Sequence, residues 1–143
     1  MKTYRVQSLP LKDVVQDLAK AFRTTFTSHC EQYLLRIPED IGTGFIEGID
    51  FDSGLGIIQY DCTFHEKTQI QYIVDDIHPL KFLYCVEGSL KHRFADDKNV
   101  HELAQYKNAV VASSKHSGHI LIFNASERTK INSLEVSRQA FQK

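Results

Sequence analysis

Hydrophobic and polar residues alternate along most of this chain, from about residue 30 onward. Successive side chains of a β-strand point to opposite faces of a sheet, so a period of two predicts strands with one buried face. The runs are short, closely spaced and separated by Gly, Asp, Asn, Pro or Ser, which is typical of a β-sandwich or barrel. The predicted strand segments are 30–37, 44–51, 55–64, 68–75, 80–88, 89–94, 108–114, 119–124 and 130–136.

One segment near the N-terminus has a helical period instead. Its apolar residues recur at spacings of three and four, which predicts an amphipathic helix over about residues 10–23, with Ser8 and Pro10 as start signals. The predicted buried stripe is Leu11, Val14, Val15, Leu18, Ala21 and Phe22. The rest of the sequence shows no internal repeat and no low-complexity linker. Residues 1–143 are therefore predicted to form a single domain with a barrel at about 30–137.

The alternation also predicts which side chains face the barrel interior. In residues 80–88 the charged Lys81 is taken to mark the outside, which places its neighbours two apart on the inside. The candidate ligand-binding residues on this predicted inner face are Tyr60, Tyr72, Phe82, Tyr84, His92 and Asn132. A barrel of about eight strands holds either its own side chains or one small ligand, and buried Tyr and His need hydrogen-bond partners. A satisfied aromatic core and a ligand pocket both remain open, and Glu47 is either a pocket acid or a misread register.

Composition excludes several classes of protein. The chain has 143 residues, 42% of them hydrophobic and 24% charged, and its 17 basic and 18 acidic residues give a formal net charge of −1. Nucleic-acid binding by the chain alone would need a basic excess or a basic face. Three widely spaced cysteines without a C-x-x-C pair indicate reduced thiols, and we therefore expect a cytoplasmic protein. Neither a membrane span nor a signal peptide is predicted.

The seven histidines raise the question of a metal. A metal-binding barrel of the cupin type normally begins its site with two histidines two residues apart on one strand, so that both face inward. No H-x-H occurs in this chain; His116 and His119 are three apart, which puts them on opposite faces of a strand. We therefore expect no metal and no other cofactor.

Motifs for covalent catalysis and phosphate binding are also weak. The chain has no G-x-S-x-G. Residues 112–119 collect serines and histidines, including Ser113, Ser114, His116 and Ser117, but the segment is best interpreted as a polar loop because catalysis requires geometry and not adjacency. The two Gly-x-Gly sequences are not followed by a predicted helix. No catalytic residue is predicted, and we expect the chain not to be an enzyme.

Three long stretches resemble a known family. They are HPLKFLYCVEGSLKHRF (78–94), ELAQYKNAVVASSKHSGHILIF (102–123) and KINSLEVSRQAF (130–141). They resemble the N-terminal half of AraC-type transcriptional regulators, specifically the cupin-like sensor domains found in Bacteroidetes, over about Leu9 to Phe141.

The resemblance implies a fold and a role. It implies a mainly β, cupin-like jelly-roll barrel (double-stranded β-helix) that senses a small-molecule effector, forms a homodimer, or does both. It also implies a DNA-binding helix-turn-helix domain after residue 143, so that DNA would be contacted only through that part. Two alternatives stay open: a stand-alone small cupin enzyme, such as an isomerase or dioxygenase, and a ligand-free dimerisation module.

Overall fold

A computed structural model describes residues 1–8, 10–51, 53–73, 78–112 and 118–141. Its elements, in chain order, are β1 (Lys2–Val6), α1 (Leu11–Phe22), β2 (Phe26–His29), β3 (Gln32–Arg36), β4 (Gly42–Phe51), β5 (Leu55–Phe64), β6 (Thr68–Tyr72), β7 (Leu80–Glu87), β8 (Ser89–Phe94), β9 (His101–Ala104), β10 (Asn108–Val111), β11 (His119–Phe123), β12 (Thr129–Val136) and α2 (Arg138–Phe141). Each predicted strand segment overlaps an observed strand. The predicted ends at 74–75 and 113–114 lie outside the described residues.

The strands form two sheets with jelly-roll connectivity. The five-stranded sheet has the order β1-β6-β11-β8-β9, and the seven-stranded sheet has the order β10-β7-β12-β5-β4-β3-β2. Strands β5 to β12 pass repeatedly from one sheet to the other, and the last of them, β12, lies between β5 and β7. Eight antiparallel strands divided in this way between two facing sheets form a jelly roll. The predicted mainly β, cupin-like jelly-roll fold is therefore confirmed.

Helix α1 packs against β1 and against the inner side of β3 and β4. Its buried residues follow the predicted stripe, except that Ala19 is buried whereas Ala21 is half-buried. A Cβ at Gly56 would lie 2.3 Å from Leu11 Cδ1 and 3.2 Å from the carbonyl oxygen of Ile49, so the start of the helix approaches β5 closely at this glycine. The helix ends at Arg23, which adopts a left-handed conformation and donates its N–H to the last turn.

A tight turn at Gly88 carries the chain from β7 in the seven-stranded sheet to β8 in the five-stranded sheet. Gly88 has a φ of +78°, and a Cβ there would lie 2.4 Å from the carbonyl oxygen of Arg128. Both facts require glycine, because other residues are strained at this φ. The predicted turn at this point is thus present, although it does not preserve the predicted faces of β7.

Three observed strands, β1, β2 and β9, were not predicted from the alternation. They are four or five residues long, and β9 contains one buried residue, Leu103. Short strands with so few buried positions carry almost no period-two signal. Among the described residues, no helix is long and apolar enough to cross a membrane.

Candidate functional site

A group of polar side chains from six strands points into the space between the two sheets. Each of them is at most 8% exposed, so their polar atoms must be satisfied inside the protein. We call this group the interior polar cluster; its members are Tyr60, Tyr72, Lys81, His92, His119, Ser133 and Glu135.

The cluster contains a buried ion pair between the neighbouring strands β7 and β12. Lys81 and Glu135 are register partners, and Lys81 Nζ lies 2.5 Å from Glu135 Oε1. The second carboxylate oxygen accepts a hydrogen bond from the hydroxyl of Ser133. Lys81 Nζ also lies 4.9 Å from the centre of the Tyr72 ring, within range of a cation–π interaction. Each charge therefore has an opposite charge and an additional polar or aromatic contact, as burial of an ion pair requires.

Two tyrosines from the two sheets meet beside this pair. The hydroxyl oxygens of Tyr60 on β5 and Tyr72 on β6 are 2.6 Å apart, so one donates to the other. Burial is the main reason that the pKa of each phenol is raised well above its ordinary value. Both phenols are therefore neutral at physiological pH, and they join the two sheets by a hydrogen bond instead of a charge.

The histidines of the cluster are neutral as well. His92 Nε2 and His119 Nδ1 are 3.2 Å apart, so one donates and the other accepts. Burial, followed by the nearby His101 and Lys81, lowers the pKa of His92 to about 4. Burial and the Lys81 ammonium lower the pKa of His119 still further. Among the described residues, His119 Nε2 has no hydrogen-bond partner.

The residues of the interior polar cluster are not arranged as metal ligands. The described part of the chain holds no group of three or more His, Cys, Asp or Glu side chains arranged to bind a metal. In the cluster, the Glu135 carboxylate is already neutralised by Lys81, whose ammonium would repel a cation placed beside His119. The absence of a metal and of a cofactor stays a prediction.

A pocket of about 460 Å³ opens at one end of the barrel, and we call it the end pocket. The start of α1, the β4–β5 hairpin and the segment that follows β12 form its walls. Its lining residues are Pro10, Leu11, Asp50, Gly54, Leu55, Gly56, Pro79, Glu135, Ser137, Arg138 and Gln139. Glu135 belongs to both the pocket and the interior polar cluster, so a molecule in the pocket would contact the buried network directly.

A second cavity, of about 300 Å³, lies between the sheet edges formed by β9 and β10. His92 and His101 line it together with Leu83, Phe94 and Leu103. His92 connects this cavity to the interior polar cluster, which consequently lies between two openings.

The structure agrees with part of the predicted ligand-binding set. Tyr60, Tyr72 and His92 face the interior, as predicted. The predicted inward orientation is wrong for Phe82, Tyr84 and Asn132, which lie on the outer face of the seven-stranded sheet. Ligand binding by these six residues stays a prediction.

The error has a physical cause on β7. The prediction assumed that a lysine marks the solvent side, but Lys81 is buried against Glu135, and Leu83 and Cys85 share its face. On β12, Asn132 was assigned to the inside because it shares a face with Leu134 and Val136, and this hid Ser133 and Glu135. Opposite charges on two adjacent strands were the available signal, although the sequence does not say which strands are adjacent.

The structure also places Glu47 and the histidines that the sequence left open. On β4, Ile46 and Gly48 lie on the buried inner face, and Glu47 lies between them on the outer face. Of the two interpretations of Glu47, the misread register is therefore the correct one. The histidines at 78, 92 and 119 are all buried, where the sequence suggested one. Ser113, Ser114, His116 and Ser117 lie outside the described residues.

Comparisons with known proteins agree with the fold. No model of a known protein family matches the chain, and neither does any curated protein. Solved structures do match. An HTH_3 family transcriptional regulator from Vibrio cholerae has 16% identity and a TM-score of 0.50, over 92% of this chain and 75% of that one.

Two further structures are similar at lower scores. KdgF from Halomonas sp. has 10% identity and a TM-score of 0.45, over 83% of this chain and 92% of that one. A cupin-2 domain containing protein from Shewanella frigidimarina has 14% identity and a TM-score of 0.42, over 78% and 84%. At such identities, similarity concerns the fold and does not extend to activity.

Proposed function

We propose that this chain is the effector-sensing domain of a cytoplasmic transcriptional regulator similar to the AraC type, and that it is not an enzyme. The observation that carries the proposal is the position of the end pocket. One wall of that pocket is Ser137–Gln139, the segment by which the chain leaves the last barrel strand. An effector bound there would contact the barrel interior through Glu135 and the departing segment through Arg138.

The departing segment is held by two contacts that an effector can influence. The N–H of Ser137 donates to the carbonyl oxygen of Gly54 at 2.8 Å. Arg138 Nε donates to the carbonyl oxygen of His78 at 3.0 Å. A ligand that binds better to one arrangement of this segment shifts the protein toward that arrangement, with coupling typically of about 1–3 kcal/mol. In the proposed regulator this shift would reorient a DNA-binding domain located beyond residue 143.

The pocket indicates the general chemistry of the effector. Its volume suits a small molecule. Asp50 and Glu135 supply carboxylates, Arg138 supplies a guanidinium, and Leu11 and Leu55 supply apolar surface. We therefore propose a small molecule with an apolar body and a charged or strongly polar group.

The comparisons support this role only through the fold. The Vibrio cholerae structure, named as a transcriptional regulator, has the same fold over 92% of this chain, so the barrel is one that occurs in regulators. The resemblance of residues 78–141 to AraC-type sensor domains adds the specific family. DNA contact is proposed only for the part of that regulator beyond this chain.

A small cupin enzyme is the second candidate, because Glu135 lines a pocket and is paired with a buried lysine. Such pairs also occur where a carboxylate acts as an acid or base. Metal content and turnover distinguish the two candidates. Stoichiometric iron, zinc or manganese in protein purified without chelator, with turnover lost in Glu135→Gln, would favour the enzyme.

The sensing proposal is tested with an introduced fluorophore. The chain contains no tryptophan, so Gln139→Trp places a single tryptophan at the pocket wall. Screening a panel of small carboxylic acids, amines, amino acids and sugars should identify a compound that changes its emission. The same compound should stabilise the unmodified chain by about 2.7 kcal/mol at 100 times its Kd.

Arginine variants provide the control for this screen. Arg138→Ala removes the guanidinium of the pocket, whereas Arg128→Ala removes an exposed guanidinium that pairs with Asp61 on the barrel surface. Stabilisation by the compound should be lost in the first variant and kept in the second. Equal stabilisation of both variants, or a panel with no binder, would count against the end pocket as the sensing site.

A further inference from the structure

The outer face of the seven-stranded sheet carries an apolar row that crosses five adjacent strands. Its residues are register partners from β10 through β7, β12 and β5 to β4. We call it the outer apolar row; its members are Val110, Phe82, Leu134, Ile57 and Ile49. The next row along the strands is uncharged on four of the five, with Asn108, Tyr84, Asn132 and Gln59.

This face is open in the described structure. Val110 is 64% exposed, Tyr84 39% and Leu134 38%. Helix α1 packs on the opposite, inner face, where a Cβ at Gly48 would lie 3.3 Å from Val15. Among the described residues, no helix covers the outer apolar row.

The outer face of the other sheet shows how this protein treats a face that meets water. There Ile120 and Ile122 lie on the central strand β11, but they are only 2% and 7% exposed. Their register partners on β6 and β8 are long polar side chains, Gln69, Gln71, Lys91 and Arg93. Such side chains cover apolar surface with their stems. The outer apolar row has no comparable flanking side chains on β7 and β12.

The size of the face suits the centre of a dimer interface. Five strands spaced about 4.8 Å apart span roughly 24 Å, and the outer apolar row with the row beside it, at about 6.8 Å per row, spans roughly 14 Å, which gives a projected area of about 330 Å². A standard interface buries about 800 Å² on each partner, with an apolar core and a polar rim. The face supplies such a core, and Glu47 on β4 begins the rim.

The charges nearby do not oppose pairing with an identical face. Lys130 and Asp61, one row beyond Asn132, are cross-strand partners of opposite sign. Asp61 also pairs with Arg128 at 3.0 Å. Leu134 on β12 is the middle residue of the row, so a two-fold axis that lies in the interface plane over Leu134, parallel to β12, places the row of one copy against the row of the other. This is the self-complementarity that a two-fold interface requires.

We infer that the outer face of β10, β7, β12, β5 and β4 is the surface on which a second copy of this chain docks. The inference is independent of the proposed function, since a dimer would form through this face whether or not the end pocket binds an effector. It gives Phe82, Tyr84 and Asn132 a role in contact between copies.

Sedimentation equilibrium of the 143-residue chain tests the inference. At about 100 µM, well above the Kd of stable dimers, we expect a particle with twice the mass of the chain. Leu134→Lys places a charge at the centre of the row, and we expect it to raise the dimer dissociation constant by on the order of 100-fold or more. Val110→Lys provides a second variant at a position so exposed that the fold tolerates lysine.

Val100→Lys is the matched control. Val100 is 49% exposed but lies ahead of β9, outside the seven-stranded sheet, so this variant should remain a dimer. Circular dichroism establishes that all three variants are folded. A dimer that survives both Leu134→Lys and Val110→Lys would overturn the inference. An unmodified chain that is monomeric at about 100 µM would assign the face to a partner of different sequence and would also overturn it.

Discussion

At two neighbouring register positions of the β7–β12 pair, the charged side chains lie inside and the apolar side chains lie outside. On the inner face, Lys81 pairs with Glu135 and both are buried. On the outer face, at the adjacent position of each strand, Phe82 lies beside Leu134, which is 38% exposed. An antiparallel sheet with one solvated face normally has the apolar side chains inside and the charged ones outside.

The difference shows that two separate demands act on one pair of strands. Charges are retained inside only where each has a partner, because an unpaired buried charge is costly. Apolar side chains are retained outside where another surface covers them, which is the role inferred for this face. The alternation of a strand therefore indicates two faces, but it does not say which face is the interior.

The largest expected effect comes from breaking the inner pair. Lys81→Met leaves the Glu135 carboxylate buried without its counter-charge, and we expect the free energy of unfolding to fall by about 3–5 kcal/mol. Urea unfolding followed by circular dichroism at a fixed protein concentration measures the loss.

Two further variants show whether the charge is responsible. The double variant Lys81→Met, Glu135→Leu removes both charges and should recover most of the lost stability. Lys91→Met, on the outer face of β8, should change stability by no more than about 0.5 kcal/mol. A double variant as unstable as Lys81→Met alone would show that packing, and not charge, dominates at this position.

The sequence predicted the fold better than the site, because alternation indicates two faces of a strand but does not say which one is the interior. Strand segments and the helix follow from local periodicity, and β5 and β8 were placed at their observed bounds. Tyr60, Tyr72 and His92 were placed inside because their strands have one apolar face. On β7 both faces are largely apolar, so Phe82 and Tyr84 were assigned by the single charge at Lys81. Its burial depends on Glu135, which is 54 residues away in the chain.

The next effect concerns the neutral histidines of the inner face. His92 has a folded pKa of about 4, and His119 is lowered further, against about 6.5 in the unfolded chain. Below pH 6.5 the unfolded state therefore binds more protons, and stability falls as the pH decreases from 6.5 toward 4. The stability that the neutral histidines contribute is fully present above pH 6.5. At about 1.4 kcal/mol per pKa unit, the shift of His92 alone corresponds to about 3 kcal/mol, so we expect a loss of at least that size across this window, measured by urea unfolding at several pH values.

Glutamine variants test the source of that slope. His119→Gln removes the most strongly perturbed imidazole, so the decrease between pH 6.5 and 4 should become shallower. His29→Gln removes an exposed histidine on β2, away from the interior polar cluster, and its pH profile should match that of the unmodified chain. Identical profiles for all three proteins would place the pH dependence in other groups.

The smallest effect compares the two faces with one chemical change. Tyr60→Phe on the inner face leaves the Tyr72 hydroxyl without its 2.6 Å partner, and we expect a loss of about 1 kcal/mol. Tyr84→Phe on the outer face removes a hydroxyl from a side chain that is 39% exposed, and the change should stay within about 0.5 kcal/mol. Urea unfolding at one concentration measures both. Equal losses would mean that the Tyr84 hydroxyl is also satisfied by a specific partner, as it would be if the dimer contact used a hydrogen bond at that position.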